Sequence, residues 1–283
     1  MSSPAPVLYV VATPIGNLED ITLRAIRVLS EADVVACEDT RKTRVLLERH
    51  GIPPTRLVSF HKFNEAKRTA ELIQRLRDGA SVALVCNAGT PGISDPGARL
   101  VQAAVRDGIR VEVVPGPSAT TAALSVSCLP HEEFVFCGFL PPRSTTRRKK
   151  FFTIKNEPRT LVFFETANRL GDSLADMLEV LGDRRIEIAR ELTKVHEEVI
   201  RTSLSSVASD LRDKTIKGEI VLIVEGAKEP APASAEGLEK EVRSAMKQFG
   251  ISRSEAAKLI ASARGIRKQD VYRALAQKGR SGG

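Results

Sequence analysis

At 283 residues the chain has room for about two domains, and 42% hydrophobic residues allow buried cores. No apolar stretch approaches the roughly 18 residues of a membrane helix. The first apolar run, VLYVVA (7–12), follows no charged leader, so a cytoplasmic protein is expected. The chain holds 43 Lys/Arg and 35 Asp/Glu; from Lys240 onward eleven basic residues face three acidic ones, so the tail carries the whole surplus of +8. Such a tail is either a solubilising face or a handle for a polyanion such as nucleic acid. The four cysteines (Cys37, Cys86, Cys128, Cys137) form no C-x-x-C pair and sit among apolar or small residues, which predicts buried free thiols rather than disulfides or zinc. Four scattered histidines complete no ligand cluster, so no metal is expected.

Strand and helix signals alternate through the first 115 residues. VLYVVA (7–12) reads as a strand, 20–29 as a helix with Ile21, Ala25, Val28 and Leu29 on one face, DVVAC (33–37) as the next strand and 41–49 as a helix stopped at Gly51. A weak strand, RLVSF (56–60), precedes a helix from Asn64 to Asp78, and SVALVC (81–86) follows. Asp95 reads as an N-cap with Pro96 at the first helical position, RVEVV (110–114) closes the unit, and a helix near 117–128 leads on. Short β-branched runs alternating with helices predict a parallel α/β sheet. The second unit should have strands at 133–139, 160–165, 186–190, 197–201 and 219–225 with one clear helix at 168–181, and a mixed sheet. Residues 226–237 read as a linker. A helix at 251–265 carries a capping box of Ser252 with Glu255, and an apolar stripe of Ala256, Leu259, Ile260 and Ala263. The last, 266–277, turns Val271, Leu275 and Tyr272 inward. The expected division is therefore 1–117, 118–228, a linker at 229–237 and a basic helical mini-domain at 238–283.

Ligands of open α/β sheets bind beyond the carboxyl ends of the strands. Here those ends run into TPIGNLED (13–20), EDTRKT (38–43), CNAGTPGISDPG (86–97) and PGPSAT (115–120), all longer or richer in Gly and Pro than minimal connections. Neither phosphate-cradle fingerprint is present, and TPIGN, NAGTPGIS and PGPSAT contain no Lys or Arg. A polyphosphate would want charge there; a neutral or zwitterionic nucleoside would not. S-adenosylmethionine, with its adenine, ribose, amino acid and sulfonium, fits such main-chain surroundings.

The segments TPIGNLEDIT, EDTRKT, NAGTPGISDPG, PGPSA, GFLPPR, ARELTKVHEE and KGEIVLIVEG occur in one order. In that order the chain closely resembles the tetrapyrrole-methylase-like (class III) methyltransferases, and among them the branch that methylates the 2′-oxygen of a cytidine in 16S ribosomal RNA. The likeness runs from about Val7 to Tyr272. It implies a two-lobed α/β fold with S-adenosylmethionine in the cleft, a homodimer, and the assembled small ribosomal subunit as substrate. Motif by motif it assigns cofactor binding to Pro14, Gly16, Asn17, Asn87, Ala88, Gly89, Thr90, Ile93, Ser94, Ser118, Ala119, Leu192, Lys217 and Gly218. Two positions depart from the family pattern: Asn87 stands where Asp is usual, and FFETANR (163–169) has Asn168 where His is usual.

Transfer to a ribose hydroxyl needs donor and acceptor aligned and a proton accepted. Candidate bases are Glu38, Asp39 and Glu165, with His61 and Glu65 as alternatives, and Arg41 or Lys194 could stabilise the alkoxide. Each has a structural reading as well: Asp39 as a helix cap, His61 and Asn64 as a turn, Glu165 as a partner of Arg169. The general base stays open at this point. PPRSTTRRKK (141–150) holds five basic residues and no acid and reads as a loop placing Arg143, Arg147, Arg148, Lys149 and Lys150 against RNA phosphates. His61, Asn64 and Glu65, with Arg253, Lys258, Arg264, Arg267 and Lys268 of the tail, are further RNA candidates. With few aromatics, recognition by shape is expected more than stacking on single strands. Two competing readings are a methylase of tetrapyrrole carbon and a non-catalytic RNA-binding assembly factor.

Overall fold

The structure is a computed structural model and describes residues 6–53, 56–210, 218–228 and 235–277. It divides into two compact units: one runs to Ser125 and includes Glu191–Glu197, the other holds Val126–Arg190 and the chain from Glu198 onward.

The first unit is a five-stranded, wholly parallel sheet. Its strands are β1 Val7–Val11, β2 Val34–Cys37, β3 Arg56–Ser59, β4 Val82–Val85 and β5 Arg110–Val114, in the order β3-β2-β4-β1-β5. Period-two alternation sends side chains to opposite faces. Val82 and Leu84 join Leu8, Ala36 and the apolar stripes of α3 (Glu65–Arg77) and α4 (Ala98–Arg106). Ala83 and Val85 join Val11, Val35, Cys37 and the stripes of α1 (Leu23–Glu31) and α2 (Thr40–Arg49). Strands β2 and β4 are buried along their whole length, which is why they read as continuous apolar runs. A short helix, α5 (Ala119–Ser125), ends the unit.

Two helix starts differ from expectation. Leu18–Asp20 form a separate 3-10 turn, and α1 begins only at Leu23, where the Thr22 side chain accepts the Ala25 amide at 3.1 Å. α4 is capped by Gly97 at φ 140°, not by Asp95. With Ser94 at φ 63° and Gly92 at 81°, the chain is still turning at Asp95 and Pro96.

The second unit has a mixed sheet, as expected: β6 Phe134–Phe139, β7 Thr160–Thr166, β8 Arg185–Arg190, β9 Glu198–Ser203 and β10 Glu219–Val224, ordered β6-β7-β10-β8-β9. Only β6 and β7 pair in parallel. Its core joins Leu161, Phe163, Ile186, Ile188 and Leu222 to Phe151 and to Leu174 and Met177 of α7 (Leu170–Leu181). α8 (Leu204–Asp210), which lacks strong sequence cues, also packs here through Leu204 and Val207. Of residues 141–150 only 141–143 lie in a loop. Ser144–Ile154 is a helix, α6, and its apolar period is masked because one inward position is Arg147.

After the linker, of which residues 229–234 lie outside the described residues, come α9 Ala235–Phe249, α10 Arg253–Arg264 and α11 Lys268–Gln277. The capping box is present: Ser252 Oγ accepts the Glu255 amide at 3.3 Å, and Glu255 Oε2 accepts the Ser252 amide at 2.9 Å. Gly265 closes α10 at φ 63°. Leu238, Val242, Ala256, Ile260 and Val271 pack on Phe152 of α6, so the tail helices share a core with the second unit. Leu259 is only half-buried and Tyr272 turns outward, with Lys268 Nζ 5.5 Å from its ring centroid; the Leu275 side chain lies outside the described residues. Cys37 and Cys86 are buried and Cys137 half-buried, but Cys128 is exposed, contrary to expectation. Among the described residues no helix is long and apolar enough to cross a membrane.

Candidate functional site

In the first sheet the connection from β2 leads outward to β3, whereas that from β4 leads across β1 to β5. The connections therefore diverge between β2 and β4, a switch point of the kind at which open α/β sheets bind ligands. The loops after β1, β4 and β5 meet on the other side of β4, at the carboxyl ends of the adjacent strands β4, β1 and β5. Thr13 and Gly89 exchange backbone hydrogen bonds of 2.9 and 3.0 Å, an isolated bridge joining the first loop to the third, and Thr13 Oγ1 donates to the Cys86 carbonyl at 3.1 Å. Gly89, at φ 81°, supplies the left-handed turn this bridge needs, and a Cβ there would lie 3.9 Å from the Pro117 carbonyl. Gly116 in turn lies close enough to Ala12 that a Cβ would meet it at 3.1 Å. Ser118 and Ala119 follow, with the Ser118 carbonyl accepting the Ala122 amide at 2.9 Å.

The Glu191–Glu197 segment closes over the first loop. Glu191 and Thr193 are left-handed (φ 51° and 65°), an uncommon conformation for side-chain-bearing residues. It lets Thr193 Oγ1 accept the Asn17 amide at 3.0 Å and brings the Leu192 carbonyl to 2.6 Å from where a Cβ on Gly16 would stand. Pro14 and Leu192 are buried, Gly16 and Asn17 exposed. Asn17 Oδ1 caps the 3-10 turn. Nothing in the spacing of ELTK (191–194) announces these roles for Glu191 and Thr193; a left-handed threonine has no sequence signature.

The third loop is tied to α3, whose Glu65 Oε1 accepts the Gly97 amide at 3.0 Å. Ala88 contributes its carbonyl to Cys86 Sγ (3.2 Å), and Thr90 its carbonyl to the Ile93 amide (3.3 Å); Ile93 and Ser94 are exposed. Burial and the nearby Asp95 carboxylate push the Cys86 thiol up to about 12. Two buried polar atoms on this rim, Asn87 Oδ1 and Thr120 Oγ1, have no hydrogen-bond partner. A buried acceptor without a donor is costly. An orphan carbonyl beside uncharged, glycine-opened backbone suits a polar ligand that donates hydrogen bonds. Of the two remaining cofactor candidates, Gly218 lies in the second unit at φ 106°, and Lys217 lies outside the described residues.

The catalytic candidates separate. Asp39 caps α2, accepts the Arg41 amide at 2.9 Å and binds the Arg41 guanidinium at 2.8 Å; these contacts hold its carboxyl down at about 2. Neighbouring Glu38 is half-buried and has no hydrogen bond or ion pair among the described residues. Lys194 Nζ pairs with Glu191 at 2.9 Å. Glu165, in the second unit, is fully buried. It accepts from the Thr166 amide and Ser173 Oγ, each at 2.6 Å, and pairs with Arg169 at 2.6 Å.

His61, Asn64 and Glu65 build one turn. Asn64 Oδ1 accepts the His61 amide at 2.8 Å, Asn64 Nδ2 donates to the Ser59 carbonyl at 3.1 Å, and His61 Nδ1 accepts the Phe63 amide at 3.2 Å. Among the basic residues, Arg147 is a correction. Only 2% exposed, it pairs with Asp176 and donates to the Pro141 and Pro142 carbonyls, so it cannot meet RNA. Arg148 pairs with Glu179, Arg264 with Glu241, Arg267 with Asp270, and Lys150 donates to the Cys137 carbonyl. Lys268 Nζ reaches Ser254 Oγ at 3.1 Å. Arg143, Lys149, Arg253 and Lys258 remain exposed without an ion pair among the described residues. The described residues hold no group of three or more His, Cys, Asp or Glu able to hold a metal ion.

A family profile described as Tetrapyrrole (Corrin/Porphyrin) Methylases matches residues 7–208. The chain belongs to the tetrapyrrole methylase family. Within this family it is similar to proteins named ribosomal RNA small subunit methyltransferase I. That of Halalkalibacterium halodurans is 46% identical over 94% of this chain and 93% of its own length; that of Thermotoga maritima is 48% identical over 77% of this chain and 98% of its own. Among solved tetrapyrrole methylase folds, a uroporphyrin-III C-methyl transferase from Thermus thermophilus, complexed with S-adenyl homocysteine, superposes with a TM-score of 0.55 at 23% identity, covering 77% of this chain and 96% of that one.

Proposed function

We propose that this chain transfers a methyl group from S-adenosylmethionine to the 2′-hydroxyl of a cytidine ribose in 16S ribosomal RNA, in the decoding region of the assembled small subunit, and that it works as a cytoplasmic homodimer. The observation that carries the reading is the uncharged, backbone-walled rim where Thr13–Asn17, Asn87–Ser94 and Ser118–Ala119 converge. The names of the relatives supply the RNA, and the S-adenyl homocysteine bound to a protein of this fold supports the donor.

The donor brings a methyl carbon already activated by its sulfonium. The chain's own part is to hold, orient and deprotonate. Backbone groups of Gly16, Ala88, Thr90, Ser118 and Ala119 hold the nucleoside and amino-acid ends, Asn17 and Gly89, whose amides are bonded within the protein, fix the shape of the loops, and Pro14, Ile93 and Leu192 are apolar walls. Asn87 Oδ1, buried and unpartnered, accepts from the ligand; as an amide it does this without the charge of the family's usual Asp. Asp39 is engaged as the cap of α2 and the partner of Arg41, which leaves the half-buried Glu38 as the base in this reading. Orientation of the hydroxyl supplies most of the remaining acceleration.

The test incubates the protein with methyl-labelled S-adenosylmethionine and unmethylated small subunits and maps the label. Label on one cytidine ribose is expected. Label on a base, or on a porphyrinoid alone, would overturn the reading. Tight subunit binding with no label would instead make the chain an assembly factor.

A further inference from the structure

Phe63 is 93% exposed, whereas the next most exposed aromatic side chain among the described residues, Phe139, is 50% exposed. Burying a phenyl ring is normally favourable, so a ring left in water on an ordered turn needs an account. This ring does not hang on a loose loop. Its amide donates to His61 Nδ1, the His61 ring stands edge-on to it at 6.0 Å between centroids, and Asn64 ties both ends of the turn to Ser59 and His61. The turn follows β3, at the carboxyl rim of the first sheet. Two residues on, Glu65 is bonded to the Gly97 amide of the loop that carries Asn87–Ser94. Phe63 is thus anchored to the proposed cofactor rim through one helix start, and exposed Lys62 flanks it.

We propose that Phe63 is a stacking platform for an unpaired RNA base beside the methylated nucleotide. This rests on the RNA-methylation reading above and adds a residue to it. Where a base beside the target ribose leaves regular stacking to present the hydroxyl, it loses its stacking partners. A preformed aromatic face compensates the lost stacking without reading sequence, and Lys62 is placed for a backbone phosphate. The low aromatic content of the chain had pointed away from stacking; one ring in the right place is sufficient.

The chain contains no Trp, so Phe63→Trp introduces a single indole reporter. Titrating that variant with unmethylated small subunits should quench its emission, while its turnover stays near that of the parent. Phe63→Ala and Phe63→Leu should each raise the KM for subunits about tenfold, with S-adenosylmethionine affinity, measured by calorimetry, unchanged. An indole signal indifferent to bound subunits would overturn the proposal, as would a Leu variant equal to the parent, which would mean apolar cover rather than stacking. A change in sedimentation of the Ala variant without a change in KM would assign the ring to a contact between copies and also overturn it. If the parent protein neither binds nor methylates subunits, the underlying reading fails first, and this outcome is distinct from the others.

Discussion

Gly16 shows how a single missing methyl group decides whether a loop can close. A Cβ there would lie 2.6 Å from the Leu192 carbonyl and 2.7 Å from Thr193 Oγ1, distances at which backbone must move. Gly16→Ala should therefore displace the Glu191–Glu197 segment and weaken S-adenosylmethionine binding at least tenfold by calorimetry, with a lesser loss of thermal stability. Cysteine chemistry offers a second check. A thiol held near 12 stays protonated at ordinary pH, and the thiolate is the nucleophile. In native protein at pH 8, iodoacetamide should label exposed Cys128 well before Cys86, as read by peptide mass spectrometry. Equal labelling would contradict the burial of the third loop. At this scale the loops that meet beyond β1, β4 and β5 were legible in the sequence, because Gly, Pro and the absence of charge are visible in it. It did not reveal Thr193 or Glu191, whose backbone angles depend on a packing partner more than 170 residues away, nor the engagement of Asp39 by its neighbour Arg41.

At the scale of elements, α6 is the instructive miss. The parallel sheet, the mixed sheet and the capping box at Ser252 all followed from period and cap chemistry. α6 was hidden because its buried face includes Arg147, and five cations in ten residues look like a solvated loop. Burial of that guanidinium is tolerable only with a paired, hydrogen-bonded carboxylate, which Asp176 of α7 provides at 2.8 Å while also accepting from Ser144 Oγ at 2.9 Å. Asp176→Ala leaves a buried charge unpaired and should cost about 3–5 kcal/mol in denaturant unfolding. Replacing both residues, with Arg147→Met and Asp176→Leu, should recover much of that loss. A single variant as stable as the parent would show that the pair is not what holds α6 to α7.

For the whole molecule, the basic surplus of the tail is a matter of surface, but the tail itself is not detachable. Leu238, Val242 and Ile260 pack against Phe152, so truncation would strip a core as well as a charge. Neutralising the exposed cations is the cleaner test. Exchanging Lys247, Arg253 and Lys258 for Gln should leave S-adenosylmethionine affinity unchanged. It should weaken binding to small subunits and lower the slope of log affinity against log salt by roughly 2 to 3. An unchanged slope would mean that the tail is only a solubilising face. The interleaved connectivity of the first unit has a different consequence. Its closing segment, Glu191–Glu197, is borne by the hairpin between β8 and β9, so a ribosome making this protein finishes the rim only after some seventy further residues have emerged. Until then the nascent Thr13–Asn17 turn lacks its latch, so on the proposed reading the polypeptide acquires donor affinity late in its own synthesis.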